Sequence, residues 1–353
     1  MPLQPDESSL PYAHLDTAAL PGDAGFSTWR SAMAPIFDIE PLIPAAAASF
    51  RGGLTTHHLG TMLLGQTVSQ PQHFRRTGRT IAYSGLDHFM VQLQMTGGYS
   101  ARAEGRAFEV GPGDICVFDL TRPIETTTSD FSNLTFVVGR DMLAPLVADA
   151  DALHGTVLTS QTSLGGLLAD HLLSLTQRVP HMTMAESRSV ADATAALIAG
   201  CLAPAAARRD ETGRGVAGAV LNRIRRHIET GLASPELNAD SIGRQFGLSR
   251  ASLYRLFEPL GGVANYIRER RLARALSVVT GHEHRHRRIG EIAHMFGFED
   301  ETVFARAFKR AFALSPRDAR SRADGVALGA IHAGLDREPE LVRWLRGLAV
   351  GSA

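Results

Sequence analysis

Residues 281–290 read GHEHRHRRIG, three alternating histidines and three arginines in ten positions. Neutral imidazole is a good ligand for zinc and related metals, so His282, His284 and His286, with His294 nearby, invite a metal-site reading. The spacing argues against it. Alternate residues of an extended loop point to opposite sides, so three rings do not easily converge on one ion. The other reading is electrostatic: Arg285, Arg287 and Arg288 make this a basic loop able to meet a phosphate backbone. Other chemistry is thinner. His57, His58 and His88 fall in apolar, strand-like runs and His73 in a loop, without the HxH…E spacing that a metal-dependent oxygenase or isomerase needs. The two cysteines, Cys116 and Cys201, are far apart, which excludes a disulfide framework and a CxxC zinc site and fits a reducing cytoplasm. No catalytic residue, metal site or cofactor is expected.

The elements that carry these residues divide by charge. Net charge is zero over 353 residues, yet residues 1–213 hold 13 Arg against 21 acids, and residues 214–322 hold 19 Arg plus Lys309 against 11 acids. An acidic half beside a basic one of ~110 residues suggests a sensing or assembly domain joined to a polyanion-binding domain. The start, MPLQPDESSL, lacks the basic head and apolar run of a secretory signal. No run approaches the ~18 apolar residues that span a bilayer, so a cytoplasmic protein without membrane contact is expected.

Residues 54–140 read as β structure. HHLGTMLLGQTVS (57–69), HFMVQLQMTGGYS (88–100) and FSNLTFVVGR (131–140) are short apolar runs bounded by turn residues, and Val110-Gly111-Pro112-Gly113-Asp114 is a turn between two strands. Several such strands in succession predict a sandwich or small barrel. From Asp141 the Ala/Leu-rich segments 164–177 and 184–203 read as helices. Leu167, Leu168, Leu172, Leu175, Val190, Ala193, Leu197 and Ile198 would serve equally as a dimer face or as a plain core. APAAARRDETGRG (203–215) lacks apolar periodicity and reads as a linker; 216–322 reads helical throughout; PELVRWLRGLAV (339–350) predicts one more short helix in the tail 323–353.

An internal repeat lies in the basic half. SIGRQFGLSRASLYRLF (241–257) and EIAHMFGFEDETVFARAF (291–308) align Ile242 with Ile292, Phe246 with Phe296, Gly247 with Gly297, Leu253 with Phe304, Arg255 with Arg306 and Phe257 with Phe308. Ile and Phe four apart share a helix face, and the following Gly ends that helix in left-handed geometry. Helix, glycine turn and second helix make a helix-turn-helix, here twice. Between the copies, VANYIRERRLARALSVVT (263–280) predicts a helix of ~18 residues, about 27 Å long, able to hold two recognition helices about one DNA turn apart. Its Arg268, Arg270, Arg271 and Arg274 could face phosphates, although a surface arginine is more often merely solvated.

These motifs make residues 216–322 resemble the DNA-binding domain of AraC/XylS-type bacterial transcription regulators, above all IGEIAHMFGFEDETVFARAFKRAFALSPRDAR (289–320) and LSRASLYRLF followed by YIRERRLARA. VQLQMTGGYSARAEGRAFEVGPGDICVFD resembles the cupin-type sensor domain attached to many such regulators. The resemblance implies a multidomain α and β protein: a cupin-like β-barrel with appended helices for effector binding and dimerisation (1–202), the linker (203–215), and an all-α domain with two helix-turn-helix motifs. It implies promoter DNA, a small-molecule effector, a second copy of the chain and RNA polymerase as partners. The DNA-reading residues it implies are Arg250, Ala251, Tyr254 and Arg255 on the first recognition helix, and Thr302, Ala305, Arg306 and Lys309 on the second, with Arg288 on a phosphate. His57, His88 and Gln92 on the predicted strands are the candidate effector anchors. Two departures stand out. Ala319 replaces an aromatic of the family's closing motif, and Glu299, Asp300 and Glu301 open the second recognition helix with acids that repel phosphate; Glu301 would either accept from cytosine N4 or cap its helix. The competing class is a cupin-type enzyme fused to a helical domain.

Overall fold

The computed structural model describes residues 10–348 except 19, 21–23, 85, 281–283, 313 and 322–339. The chain forms two compact units. One comprises residues 1–80, 86–207 and 334–353; the other comprises 81–85 and 208–333.

The first unit holds twelve strands: β1 (Tyr12–Asp16), β2 (Asp38–Pro41), β3 (Gly52–His58), β4 (Met62–Ser69), β5 (Gln72–Arg76), β6 (His88–Thr96), β7 (Tyr99–Ala103), β8 (Arg106–Val110), β9 (Ile115–Asp119), β10 (Ile124–Thr128), β11 (Phe131–Gly139) and β12 (Thr156–Leu158). They pair antiparallel in a seven-stranded sheet, β1-β3-β4-β11-β6-β9-β12, and a five-stranded sheet, β2-β5-β10-β7-β8. The expected closed barrel is corrected to two separate sheets. The expected turn is present: the Asp114 carboxylate accepts the Gly111 N–H at 3.1 Å, and Gly113 takes φ 83°. The 57–69 run is broken, because Gly60 at φ 87° reverses the chain between β3 and β4.

Strand alternation gives the larger sheet two buried faces. Met62 and Leu64, Phe89, Val91 and Leu93, Ile115 and Val117, and Leu134, Phe136 and Val138 form one core. The intervening Leu63, Met90, Cys116, Phe118 and Val137 join the other, with Trp29 and Met33 of α1 (Ala24–Met33). Burial on both sides explains why these strands read as continuous apolar runs. Across the first face lie α4 (Ser163–Arg178) and the part of α5 (Met184–Gly231) up to Ala206; the shorter α2 (Gly78–Ser84) and α3 (Arg140–Leu143) precede them. Leu168, Leu172, Leu175 and Ile198, offered by the sequence as a dimer face or a core, are buried in this core, whereas Leu167 and Ala193 are exposed. At the end of the sheet, Arg140 is buried between Asp87 and Asp119, its guanidinium 4.5 Å over the Phe89 ring. His154, which accepts the Asp119 N–H, is pushed down to about 4 by burial.

Two sequence expectations change along α5. The 203–215 segment is helical, since Ala, Arg and Glu are strong helix formers. The boundary between the units falls at Ala207/Arg208. Averaged over a window, Met184–Ala206 is also long and apolar enough to cross a membrane, with mean hydropathy 1.5. Its Ala191, Ala195, Ile198, Ala199 and Leu202 are buried in the core with α4, the pattern of an amphipathic core helix.

The second unit is helical: α6 (Ala239–Phe246), α7 (Arg250–Phe257), α8 (Val263–Thr280), α9 (Ile289–Met295) and α10 (Glu301–Phe312). It has two cores on one connector. The first half of α8 supplies Val263, Tyr266 and Ile267 to a core with Ile242, Leu253 and Phe257. The second half supplies Leu272, Ala275, Leu276 and Val279 to a core with Ile292, Phe304 and Phe308. The last described helix, α11 (Glu340–Gly347), belongs to the first unit, not to a free tail.

Candidate nucleic-acid interface and effector cavity

Each sequence repeat folds as a helix-turn-helix. In the first, Asn238 Oδ1 caps α6 by accepting from the Asp240 and Ser241 N–H groups, Gly247 ends it at φ 63°, and Ser249 caps α7 through the Ser252 N–H at 3.2 Å. In the second, Gly297 turns the chain at φ 70°, and Asp300 caps α10 by accepting the Val303 N–H at 2.7 Å. With Leu253 and Phe257 buried, Arg250, Ala251, Tyr254 and Arg255 stand on the exposed side of α7. With Phe304 and Phe308 buried, Thr302, Arg306 and Lys309 are exposed on α10 and Ala305 is half-buried. An arginine on such a face can bond guanine O6 and N7 in a major groove.

Two of the acids that open the second recognition helix are occupied. Asp300 is the cap, and Glu301 receives Arg317 Nη2 at 3.0 Å. Arg317 therefore partly offsets the charge that the sequence set against phosphate. Ala319, in place of the aromatic, is buried in the same core.

The connector arginines are mostly structural, which corrects their placement on phosphates. Arg270 is buried and paired with Glu229 at 2.5 Å, and Arg274 approaches the same carboxylate at 3.7 Å. Arg271 donates to the carbonyls of Leu232 at 3.0 Å and Ser234 at 2.7 Å, and desolvation lowers its pKa. Arg268 is exposed. In the basic loop Arg285 and Arg288 are exposed, while the Arg287 carbonyl accepts Arg320 Nη1 at 2.8 Å. Among the described residues, no group of three or more His, Cys, Asp or Glu stands close enough to hold a metal; His282 lies outside the described residues.

The first unit contains a cavity of about 790 Å³, part of it open to solvent. Trp29, Met33, Phe37, Phe74, Met90, Phe118 and Phe131 make its wall apolar. A polar strip crosses it: Gln92 Nε2 donates to Thr135 Oγ1, and Thr135 Oγ1 to Asn133 Oδ1, each at 3.2 Å. Tyr99 also lines it, and burial pushes its phenol well above the ordinary range, so it stays neutral. None of the described lining residues is charged. Such a site suits a neutral organic molecule with one or two polar groups, because an ion would be desolvated without a partner. Of the sequence-predicted anchors, Gln92 is in the wall; His57 and His88 are not among the lining residues. His57 is buried beside the Tyr12 ring, and His88 bonds the tail helix. Thr135, Asn133 and Tyr99 were missed, their only signal being polar residues at inward positions of apolar strands.

Residues 29–203 match the AraC-binding-like domain family and residues 242–322 a helix-turn-helix domain family. The chain is 24% identical over 239 residues to the transcriptional activator NphR of Rhodococcus sp., covering 65% of this chain and 68% of that one. It is 33% identical over 110 residues to the probable transcription factor PqrA of Proteus vulgaris, covering 30% of this chain and 86% of that one. The crystal structure of the AraC-like transcriptional activator CuxR is similar with a TM-score of 0.51 at 28% identity, over 75% of this chain and 95% of that chain.

Proposed function

The chain belongs to the AraC/XylS family of DNA-binding transcriptional regulators, and from that premise we propose that it regulates promoters in response to a small, neutral, largely apolar effector held in its N-terminal cavity. It is a regulator and not an enzyme, as are the relatives it matches. The observation that carries the DNA reading is the duplicated helix-turn-helix, each copy closed by its own core and presenting an arginine, Arg255 or Arg306, on an exposed recognition face. Arg250, Ala251, Tyr254, Thr302, Ala305 and Lys309 complete the proposed base-reading faces, and Arg288 takes a phosphate. The cupin-like ancestry of the two-sheet unit, its pairing with a second copy and its contact with RNA polymerase belong to this proposal. NphR and CuxR are named activators, and we extend that direction to this chain.

Sequencing the genomic DNA that copurifies with the protein tests the reading. The expected outcome is an enriched motif of two half-sites about one helical turn apart, ~10 bp, read in adjacent major grooves. Affinity for it should fall steeply with salt, by about 0.9 log units per phosphate contact for each tenfold rise. Fragments that share no motif and bind independently of salt would overturn it.

A further inference from the structure

The last described helix is C-terminal to both helix-turn-helix motifs, yet it is part of the N-terminal unit. Trp344, Leu345 and Leu348 are buried among the residues that enclose the cavity, and Leu341 and Leu345 are themselves cavity wall. Polar and ring contacts help to hold α11 down. His88, fully buried at the start of β6, donates from Nε2 to the Leu345 carbonyl at 2.5 Å, and the His58 ring meets Trp344 edge-on at 5.4 Å. The other helical part of the wall, Trp29 and Met33 of α1, is tied to the strands by Trp29 Nε1, which donates to Gln72 Oε1 at 3.0 Å. The strands are fixed by continuous ladders, eight paired positions between β4 and β11 alone. An eight-residue helix is too short to persist undocked, and α11 contributes no ladder bond, so it opens at lower cost than the strand walls.

We propose that α11 is the lid of the effector cavity and part of its binding site: a neutral effector is enclosed against Leu341 and Leu345, and enters and leaves as this helix undocks. The proposal rests on the reading of the cavity as the effector site. His88 acts as a positioning residue, since it bonds the lid without lining the cavity. The chain thus supplies one wall of its sensor from beyond its DNA-binding motifs. Any effector that binds better under the closed lid must, by linkage, favour the closed lid by the same factor.

The chain contains two tryptophans, Trp29 in the cavity wall and Trp344 on the lid. Full-length protein labelled with 5-fluorotryptophan therefore gives two fluorine NMR resonances, assigned with Trp344→Phe. Benzyl alcohol, neutral and aromatic with one hydroxyl, is the probe. We expect it to shift both resonances with one common affinity. Leu345→Ala should weaken that affinity about tenfold and move the Trp344 resonance towards its solvent-exposed position. His88→Leu should loosen the lid in the same way, and His88→Gln, which keeps an N–H donor, should restore it. A probe that shifts Trp29 only in Leu345→Ala also supports the lid, as one shut against it. A probe that shifts Trp29 but not Trp344, with affinity unchanged in Leu345→Ala and His88→Leu, overturns the lid and leaves the cavity reading standing. If neither resonance moves in any form, the cavity reading fails and the lid falls with it.

Discussion

The two helix-turn-helix copies share their turn glycines and the apolar positions behind them, and differ in almost everything else. The second is built on a run of rings: Phe298–Phe304, Phe304–Phe308 and Phe308–Phe312 pack with centroids 5.1, 5.4 and 4.7 Å apart. In the first, Phe257 packs against Tyr266 of the connector at 5.4 Å, and Leu253 stands where the second copy has Phe304. Recognition helix α7 has eight residues and no acid in its first turn; α10 has twelve and opens on a carboxylate held by Arg317. The repeat thus keeps the residues that specify the fold while the exposed chemistry diverges. On the proposed reading, the first face would be the stronger base reader and the second, with its acidic start, the weaker one.

The turn glycines give the largest test of that contrast. Both need positive φ, which costs an L-residue about 1–2 kcal/mol. A Cβ on Gly247 meets nothing within 4 Å, whereas one on Gly297 would lie 2.8 Å from Arg271 Cζ, a guanidinium pinned by the Leu232 and Ser234 carbonyls. Gly247→Ala should therefore cost about 1 kcal/mol, and Gly297→Ala about 3 kcal/mol once a charged hydrogen bond is disturbed. Hydrogen exchange in each core of the full-length variants reads the two losses separately. The excess at Gly297 should vanish in an Arg271→Ala background; equal losses in the wild-type background would mean that Arg271 yields freely and couples nothing.

Base reading comes next. Arg255→Ala and Arg306→Ala each remove an exposed arginine, so folding should change little. Losing one arginine–guanine pair should reduce discrimination at that base pair by about 1–3 kcal/mol, with Arg255→Ala the more damaging. Arg288→Ala should instead weaken cognate and scrambled DNA alike and flatten the salt dependence. The comparison breaks if Arg306→Ala costs more specificity than Arg255→Ala, or if Arg255→Ala weakens both DNAs equally.

How much of this was legible in sequence depends on range. The helix-turn-helix motifs were, because an Ile, a Phe four residues on and the next Gly specify helix face and stop within one turn. The effector cavity was not. Its polar strip depends on Gln92 lying opposite Thr135 across β6 and β11, a pairing 43 residues apart that no local pattern encodes. His57 and His88 read as anchors because they sit on predicted strands. His88 finds its partner 257 residues away, on a helix that composition alone left in a tail. The connector arginines misled for a related reason. A basic stripe on a helix reads as solvent-facing until Glu229 is known to lie against it.

The smallest effect separates two roles for Glu301. Its carboxylate binds Arg317, and both side chains are substantially exposed, 43% and 80%, so the pair adds little to stability. On the DNA-binding reading its consequence is larger, because it would keep Arg317 from phosphate. Glu301→Gln should free that arginine, raise affinity for all DNA sequences a few-fold, and steepen the salt slope by about 0.9, one additional phosphate contact. If Glu301 instead accepts from cytosine N4, the same substitution should lower affinity only for sites with cytosine at one position and leave the slope alone. Titrating wild type and Glu301→Gln against cognate and scrambled duplexes at several salt concentrations decides between them. Loss confined to the cognate site would make the second motif a base reader after all, and would erase the asymmetry between the two copies.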